Sequence, residues 1–206
     1  QAADIRYAEQ LGYRIKLLGI AKRKNGGVEL RVHPTLIPAK RLIANVEGAM
    51  NAVLVWGDAV GATLYYGKGA GAEPTASAVI ADLVDVTRLH TADPLNRVPH
   101  LAFQPDQLSD LPVLPMDAVE TAYYLRLSAA DKPGVLADIT RILADLSISI
   151  DAMLQKEPAE GEAQTDVVIL THVALEKDVN QAIARIEALA SISGKVTRIR
   201  MEELNG

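Results

Sequence analysis

Apolar residues in the first 90 positions recur in short segments, and the spacing within each segment predicts its structure. Alternating apolar and polar positions predict strands, and Asn25-Gly26-Gly27 predicts a hairpin turn because glycine tolerates positive φ. A second glycine-bounded turn, at residues 57–61, separates another pair of β-rich segments. The predicted elements are a helix at Ala3–Leu11, strands at Tyr13–Arg23, Val28–His33, Ala52–Trp56 and Thr63–Tyr66, and a helix at Thr75–Arg88.

The stretch from Asn96 to Met116 interrupts this pattern. It contains four prolines, each of which removes a backbone donor and disfavours regular structure around it. These are Pro99, Pro105, Pro112 and Pro115. We therefore expect a first domain over residues 1–95, a proline-rich linker over 96–119 and a second domain over 120–206.

The second domain has its own order of elements. Segments with the apolar spacing of strands and of helices follow one another in the order β-α-β-β-α-β. This order is typical of a ferredoxin-like sandwich, in which both helices lie on one face of a four-stranded antiparallel sheet. The predicted strands are Tyr123–Ser128, Ile148–Gln155, Val167–Val173 and Lys195–Met201, and the predicted helices are Gly134–Leu146 and Glu176–Leu189. The expected fold class is α+β throughout, with a mainly antiparallel sheet also in the first domain.

Composition narrows the function classes. The chain has no cysteine, and its four histidines show no ligand pair at helical spacing, so we expect no metal site and no cysteine nucleophile. Residues 1–115 carry 12 Lys+Arg and 11 Asp+Glu, and residues 116–206 carry 9 and 15. Neither half has the basic excess of a nucleic-acid binder. No apolar run is long enough for a membrane span and the first residues do not resemble a signal peptide, so a cytoplasmic location is expected.

The first candidate site is the glycine-rich run Gly67-Lys68-Gly69-Ala70-Gly71, between a predicted strand and a predicted helix. Glycines let backbone N–H groups approach a ligand closely, and the start of the following helix offers unsatisfied donors to an anion. A plain turn is the commoner role of such a run, and the spacing does not match G-x-G-x-x-G. Local chemistry alone leaves both interpretations open.

The amino-acid sequence around this run resembles that of the bacterial homoserine dehydrogenase family. The segments that carry the resemblance are Asp4–Ala8, Gly12–Gly19, Val32–Ile37, Ala44–Gly48, Met50–Val53 and above all Tyr66–Val79. The resemblance implies that the glycine-rich turn contacts a nicotinamide dinucleotide, NADP or NAD, held mainly by an N-terminal Rossmann domain. It assigns Gly71 to the cofactor, with Gly69 and Glu73 as weaker neighbours.

Parts of that family's pattern are missing from this sequence. There is no strand, G-x-G-x-x-G and helix unit, and no lysine stands in the family's Asp-x-x-x-Lys context. Lysines such as Lys16 and Lys68 are better interpreted as solvated side chains than as proton donors. We therefore expect no catalytic residue in these 206 positions and no turnover by the chain alone.

The second candidate site is Ser128–Ala137, where the second domain's first strand meets its first helix. Asp131 can cap the helix, Pro133 suits its first turn, and Gly134 lets free N–H groups face a small carboxylate. A good helix start explains the same residues without a ligand. Chemistry alone leaves these two roles equal.

Residues 120–206 resemble the ACT regulatory domain, through Asp131–Ala137, Ile142-Leu143 and Ile148–Gln155. In ACT domains this first loop and the second strand of a neighbouring subunit frame an amino-acid pocket. The resemblance therefore implies effector binding by Asp131, Gly134, Val135 and Leu136, with Ser149 and Asp151 as secondary partners. Ser147 departs from the family's usual glycine at the helix end, which tolerates left-handed geometry more easily.

Together the two resemblances imply a part of a homoserine dehydrogenase. Its parent enzyme would interconvert L-homoserine and L-aspartate 4-semialdehyde in threonine, methionine and isoleucine biosynthesis, and an amino acid, with L-threonine as the first candidate, would inhibit it. The apolar segment Met50–Val55 and the available sheet edges predict a homodimer or homotetramer. The alternatives are a non-catalytic dimerisation and amino-acid-sensing module, or a regulatory domain of another amino-acid enzyme.

Overall fold

The computed structural model describes residues 1–90, 103, 105–156 and 163–204. These residues form two compact units. The first unit joins residues 1–44 with the chain from Pro112 to its described end, and the second comprises residues 45–111. Residues 91–95 of the predicted first domain and residues 96–102 and 104 of the predicted linker lie outside the described residues, and the predicted domain boundaries stay a prediction.

The first unit begins with helix α1 and a long hairpin. Helix α1 spans Ala2–Gln10, and Gly12, at φ +80°, leads into strands β1 (Tyr13–Lys24) and β2 (Gly27–Pro38). The two strands are antiparallel, with Lys24 opposite Gly27. The turn between them uses Gly26 at φ +89°, a conformation that glycine adopts without a steric cost. The predicted helix and hairpin are therefore confirmed, and both strands extend beyond their predicted ends.

The rest of this unit has the predicted β-α-β-β-α-β order. Its elements are β5 (Glu120–Ala130), α3 (Val135–Asp145), β6 (Ile150–Gln155), β7 (Gln164–Thr171), the short β8 (Ala174–Leu175), α4 (Glu176–Glu187) and β9 (Ile192–Met201). Neighbouring strands in the order β9, β5, β7 and β6 are antiparallel, and β8 pairs with the start of β5. The predicted ferredoxin-like arrangement is confirmed.

The sheet extends beyond the four expected strands, because the hairpin continues it in the order β1-β2-β9-β5-β7-β6. Strand β2 pairs with β9 in parallel, with Thr35 opposite Arg200 and Leu36 opposite Met201. The N–H of Glu202 then donates to the carbonyl of Leu36 at 2.9 Å. The sequence did not predict that the hairpin and the ferredoxin-like strands share one sheet. Local periodicity carries no signal for a pairing between segments so far apart in sequence.

Helices cover both faces of the sheet in this unit. Side chains alternate along a strand, so Tyr123, Leu125 and Leu127 of β5 face α3 and α4, and Tyr124 faces α1. All four of these side chains are fully buried. Their partners are Ile139, Leu143, Val179 and Ile186 on the α3/α4 face, and Tyr7, Ala8, Leu36, Val168, Leu170 and Met201 on the α1 face.

A buried group of charged side chains holds the hairpin to the end of β9. Arg31 of β2 pairs with Glu29 at 2.6 Å and with Glu202, which also accepts from Lys22 at 2.7 Å. The Arg31 guanidinium lies 2.8 Å from Nε2 of the buried His33. Because a guanidinium can only donate, His33 Nε2 must accept, which requires a neutral imidazole. Burial lowers the pKa of His33, and the charges of Arg200 and Arg31 lower it further.

The second unit contains a hairpin and a helix. Strands β3 (Met50–Gly57) and β4 (Gly61–Lys68) are antiparallel, and helix α2 spans Ala72–His90. Both predicted strands and the predicted helix are confirmed. No residue of α2 is buried. This unit therefore presents most of its apolar side chains to solvent.

Candidate functional site

A cavity of about 440 Å³ lies where β5 meets α3. Its walls are the loop and helix start at residues 129–136, with Gln155 of β6 and Val167 of β7. Four residues predicted to bind an effector therefore line one cavity. These four are Asp131, Gly134, Val135 and Leu136. Their binding role stays a prediction.

Gly134 sets the entry to the helix at this cavity. It takes the N-cap position with φ +92°, a left-handed conformation that would strain any side-chain-bearing residue. The first helical N–H groups have no acceptor within the helix, so they and the positive end of the helix dipole are available to an anion. The N–H of Val135 contacts the carbonyl of Lys132 at the long distance of 3.4 Å.

The prediction that Asp131 caps α3 is wrong. The cap position belongs to Gly134 and no side chain caps this helix end. The N–H of Asp131 instead donates to the carbonyl of Ala163 at 3.2 Å, which fixes the loop against β7. Its exposed carboxylate is left facing Gln155, whose Nε2 donates to Asp131 Oδ1 at 3.5 Å. A carboxylate that does not cap the helix is free to accept hydrogen bonds from a ligand.

Gln155 is the polar cavity residue that sequence reasoning missed. It is the last residue of β6, and the strand's alternation places it with Met153 on the face opposite Ala152 and Leu154. That alternation, continued to the strand end, is the signal that could have identified it. Its amide supplies both a donor and an acceptor beside Asp131.

Ser149 and Asp151 lie elsewhere. The Ser149 carbonyl accepts the N–H of His172 at 2.9 Å, and Asp151 Oδ1 lies 3.9 Å from His172 Nε2 on the surface. Neither residue lines the cavity of its own chain. Their expected contribution comes from a neighbouring subunit, so it stays a prediction.

The glycine-rich run forms the predicted turn between β4 and α2. Gly71 has φ +126° and its carbonyl accepts the N–H of Thr75 at 3.2 Å, which begins the helix. A Cβ at Gly71 would lie 3.3 Å from Pro74 Cδ. The positive φ of Gly71 and its close approach to the Pro74 ring both favour glycine at this position. The turn is exposed, so its backbone is accessible to a dinucleotide.

Gly69 and Glu73 fit a cofactor less well. A Cβ at Gly69 would lie 2.3 Å from Nδ2 of Asn51, so the close packing of this side chain favours glycine here without a ligand. Glu73 is an acidic residue in the first turn of α2, where it stabilises the helix dipole but repels a phosphate. The fit to a nicotinamide dinucleotide therefore rests on the backbone at Gly71.

Other site chemistry is limited within the described residues. No group of three or more His, Cys, Asp or Glu side chains in this part of the chain is arranged to hold a metal ion. None of the helices placed by the structure combines the length and apolar character needed to cross a bilayer.

Comparison with known proteins gives two family matches along this chain. Residues 1–84 match the family model for homoserine dehydrogenase, and residues 123–191 match that for the ACT domain. The homoserine dehydrogenase of Pseudomonas aeruginosa is 61% identical over 204 residues, which are 99% of this chain and 47% of that protein. The chain belongs to the homoserine dehydrogenase family. It spans about half the length of the curated relatives it matches.

Other homoserine dehydrogenases agree with this assignment. That of Neisseria gonorrhoeae is 55% identical over 98% of this chain and 46% of its own length. The crystal structure of a homoserine dehydrogenase from Thiobacillus denitrificans matches with a TM-score of 0.90 at 75% identity, covering 98% of this chain and 46% of that chain. A Staphylococcus aureus homoserine dehydrogenase structure matches at 30% identity with a TM-score of 0.60, over 98% of this chain and 45% of that one.

The two family matches do not coincide with the two compact units. Helix α1 and strands β1 and β2 lie within the homoserine dehydrogenase match, yet they pack on the sheet that contains the ACT match. The cavity lies in the ACT match and the turn at Gly71 in the homoserine dehydrogenase match.

Proposed function

We propose that the chain is the regulatory and cofactor-contacting part of a homoserine dehydrogenase, which interconverts L-homoserine and L-aspartate 4-semialdehyde with NAD or NADP. The cavity at the start of α3 carries the proposal, because four of the six predicted effector residues line it, inside the ACT match. The biosynthesis of threonine, methionine and isoleucine uses this reaction, so one of these amino acids is the expected effector. Such an enzyme works in the cytoplasm.

An amino acid suits the chemistry of the cavity. Its carboxylate meets the free N–H groups at the start of α3, where the helix dipole is positive. Its ammonium group finds acceptors in the Asp131 carboxylate and the Gln155 side-chain carbonyl. L-Threonine is our first candidate because its hydroxyl can use the polar edge of the same cavity.

Calorimetric titration with threonine, isoleucine and methionine tests the proposed effector site. We expect binding by the wild-type chain, and loss of binding in Gly134→Leu, which strains the loop and fills the cavity entrance. Asp131→Asn should weaken binding at least tenfold. Asp138→Asn is the matched control, because Asp138 is also exposed in the first turn of α3 but does not line the cavity. No heat with any of the three amino acids would overturn the sensing role.

The proposed cofactor contact is a backbone contact at Gly71. The nicotinamide group, when bound, accepts hydride from the alcohol carbon of homoserine. The turn contributes accessible N–H groups at the start of α2, and the absence of a Cβ at Gly71 lets the dinucleotide approach. In the full-length enzyme, Gly71→Val should therefore raise the KM for the cofactor at least tenfold. Gly67→Val is the control, since a Cβ at Gly67 meets nothing within 4 Å.

The chain alone is expected to be inactive. None of its lysines stands in the family's Asp-x-x-x-Lys context, so the proton-transfer group is expected elsewhere in the parent enzyme. The chain should therefore produce no homoserine-dependent reduction of NADP above a blank. Turnover at a rate typical of dehydrogenases would overturn this part of the proposal.

A second candidate function is assembly together with sensing, without cofactor contact. It is favoured by the exposed apolar side chains of the β3–β4 hairpin, where Val53 is 61% exposed and Trp56 54%. Such a surface is typical of one that is covered in an oligomer. An unchanged cofactor KM in Gly71→Val would favour this function. Sedimentation at micromolar concentration should show a dimer or tetramer, and a 22.1 kDa monomer would contradict it.

A further inference from the structure

The strands that wall the cavity on one face of the sheet also hold helix α1 on the other face. Cavity residues come from β5, β6 and β7. The same three strands, or the residue directly after one of them, send side chains to α1. These contacts are Arg126 with Asp4, Asp166 with Tyr7, and Lys156 with Tyr7.

The strongest of these contacts is the ion pair between Arg126 and Asp4. Arg126 Nε lies 2.6 Å from Asp4 Oδ1, with 12% of the arginine and 1% of the aspartate side chain exposed. The Tyr124 hydroxyl donates to the same oxygen at 3.0 Å. Burial alone would raise the pKa of Asp4, but the hydrogen bonds from Arg126, from the ammonium group of Gln1 and from Tyr124 together outweigh it and hold that pKa below its usual value. Undocking α1 would separate this buried pair, which is costly.

The contacts to Tyr7 come from residues adjacent to cavity residues. Asp166 precedes Val167, and its Oδ2 accepts the Tyr7 hydroxyl at 3.1 Å. Lys156 follows Gln155, and its Nζ lies 4.7 Å from the centre of the Tyr7 ring. Neighbouring residues of a strand point to opposite faces, so a shift of either strand end moves a cavity residue and an α1 contact together.

Arg126 and Asp166 are also linked directly. Arg126 Nη1 lies 3.5 Å from Asp166 Oδ1, so the β5 and β7 contacts with α1 form one group. The register between β5 and β9 shifts between Arg126 and Ser128, just before the cavity residues Ala129 and Ala130. A register shift is a place where a strand can adjust its bend.

We propose that α1 receives the effector signal: an amino acid in the cavity fixes the ends of β5, β6 and β7 and thereby tightens the docking of α1 on the opposite face. This coupling rests on the proposed sensing function and deepens it. Because α1 lies within the homoserine dehydrogenase match, the coupling gives the effector a physical route out of the ACT sheet. By linkage, if the effector favours docked α1 by a given factor, the chain with α1 docked binds the effector more tightly than the undocked chain by that same factor, so weakening the α1 contacts lowers effector affinity.

Two tyrosine variants of the 206-residue chain test the coupling. Tyr7→Phe removes the hydrogen bond to Asp166, beside the cavity. Tyr13→Phe is the matched control, because the Tyr13 hydroxyl also donates to a carboxylate, that of Glu203 at 3.0 Å, but neither residue adjoins the cavity. Circular dichroism establishes that both variants are folded. Calorimetry then measures threonine, isoleucine and methionine affinities, and hydrogen exchange with mass spectrometry measures the protection of α1 amides.

We expect the effector to slow amide exchange in α1 of the wild-type chain at least threefold. Tyr7→Phe should weaken effector binding at least threefold, and Tyr13→Phe should change it less than 1.5-fold. If the wild-type chain binds an amino acid but α1 exchange stays unchanged or accelerates, or if both variants bind like wild type, the coupling is wrong and the sensing function stands. If the wild-type chain binds none of the three, the sensing function and the coupling both fail.

Discussion

The two units of this chain bury their apolar side chains to very different extents. In the first unit, Leu125, Leu127 and Ile169 are at most 1% exposed and helices cover both faces of the sheet. In the second, α2 has no buried residue, and Leu83 is 58% exposed. A two-stranded hairpin is marginally stable by itself in water, and most helix stability comes from packing. The first unit therefore has its own core, and the described residues of the second unit do not form one of comparable burial.

The largest expected effect is the loss of stability when a core side chain is truncated, which should distinguish the first unit from the second. Leu125→Ala should lower the free energy of unfolding by about 2–5 kcal/mol, because it opens a cavity in a filled core. Leu83→Ala, the same change on exposed α2, should cost less than about 0.5 kcal/mol. Urea unfolding followed by circular dichroism measures both. Similar losses for the two variants would mean that α2 is packed in solution, and the contrast between the units would be wrong.

A second prediction sharpens the comparison through pH, since His33 is the buried histidine of the first unit. Its pKa is lowered by burial and by the charges of Arg200 and Arg31, against the opposing effects of the Pro34 carbonyl and Glu202. The unfolded chain therefore binds the proton more readily. As far as it depends on His33, the free energy of unfolding should be constant above about pH 6.5. Below that pH it should fall by up to about 1.4 kcal/mol per pH unit.

Thermal unfolding between pH 7 and 5 measures this effect. Buried carboxyls with lowered pKa, such as Glu202 and Glu176, lose their contribution only below their usual range near pH 4, so they do not interfere. His33→Gln should reduce the pH dependence, and the exposed His172→Gln should leave it unchanged. Equal pH dependence in all three proteins would show that His33 is not the responsible group.

The smallest expected effect concerns the end of α3. Ser147 has φ +58°, a left-handed conformation that costs a residue with a Cβ about 1–2 kcal/mol. Glycine removes this strain but loses more chain entropy on folding, so Ser147→Gly should stabilise the first unit by about 0.5–1 kcal/mol. Ser149→Gly, without positive φ, should destabilise it slightly. A loss of stability in Ser147→Gly, measured by urea unfolding, would contradict the strain argument.

Local signals explain what the sequence predicted correctly. Asn25-Gly26-Gly27 predicted the first hairpin, and the apolar spacing around Ile139 and Leu143 predicted α3. The turn before α2 followed from its glycines, and the loop at Asp131–Leu136 was identified by its resemblance to the ACT domain. Each of these features depends on residues a few positions apart.

Features that depend on distant residues were missed. The parallel pairing of β2 with β9 joins strands whose side chains give no local sign of it, and Gln155 enters the cavity only because β6 and β5 lie in the same sheet. Asp131 was misjudged as a helix cap because the cap position belongs to Gly134 at φ +92°, three residues later. The backbone conformation of a single glycine therefore determines which residue occupies the N-cap position of α3.

The contact between Arg31 and Glu202 joins positions that are 171 residues apart. During synthesis at about 5–20 residues per second, the hairpin leaves the ribosome many seconds before its partner strand exists. Until β9 has been synthesised, water hydrates the side chains of Glu29, Arg31 and His33. The face of β2 that is later buried is therefore polar during this interval. An unpaired strand with a polar face is less prone to associate with other chains than an unpaired strand with an apolar face. The order of translation thus gives the buried charges a role before the sheet is complete.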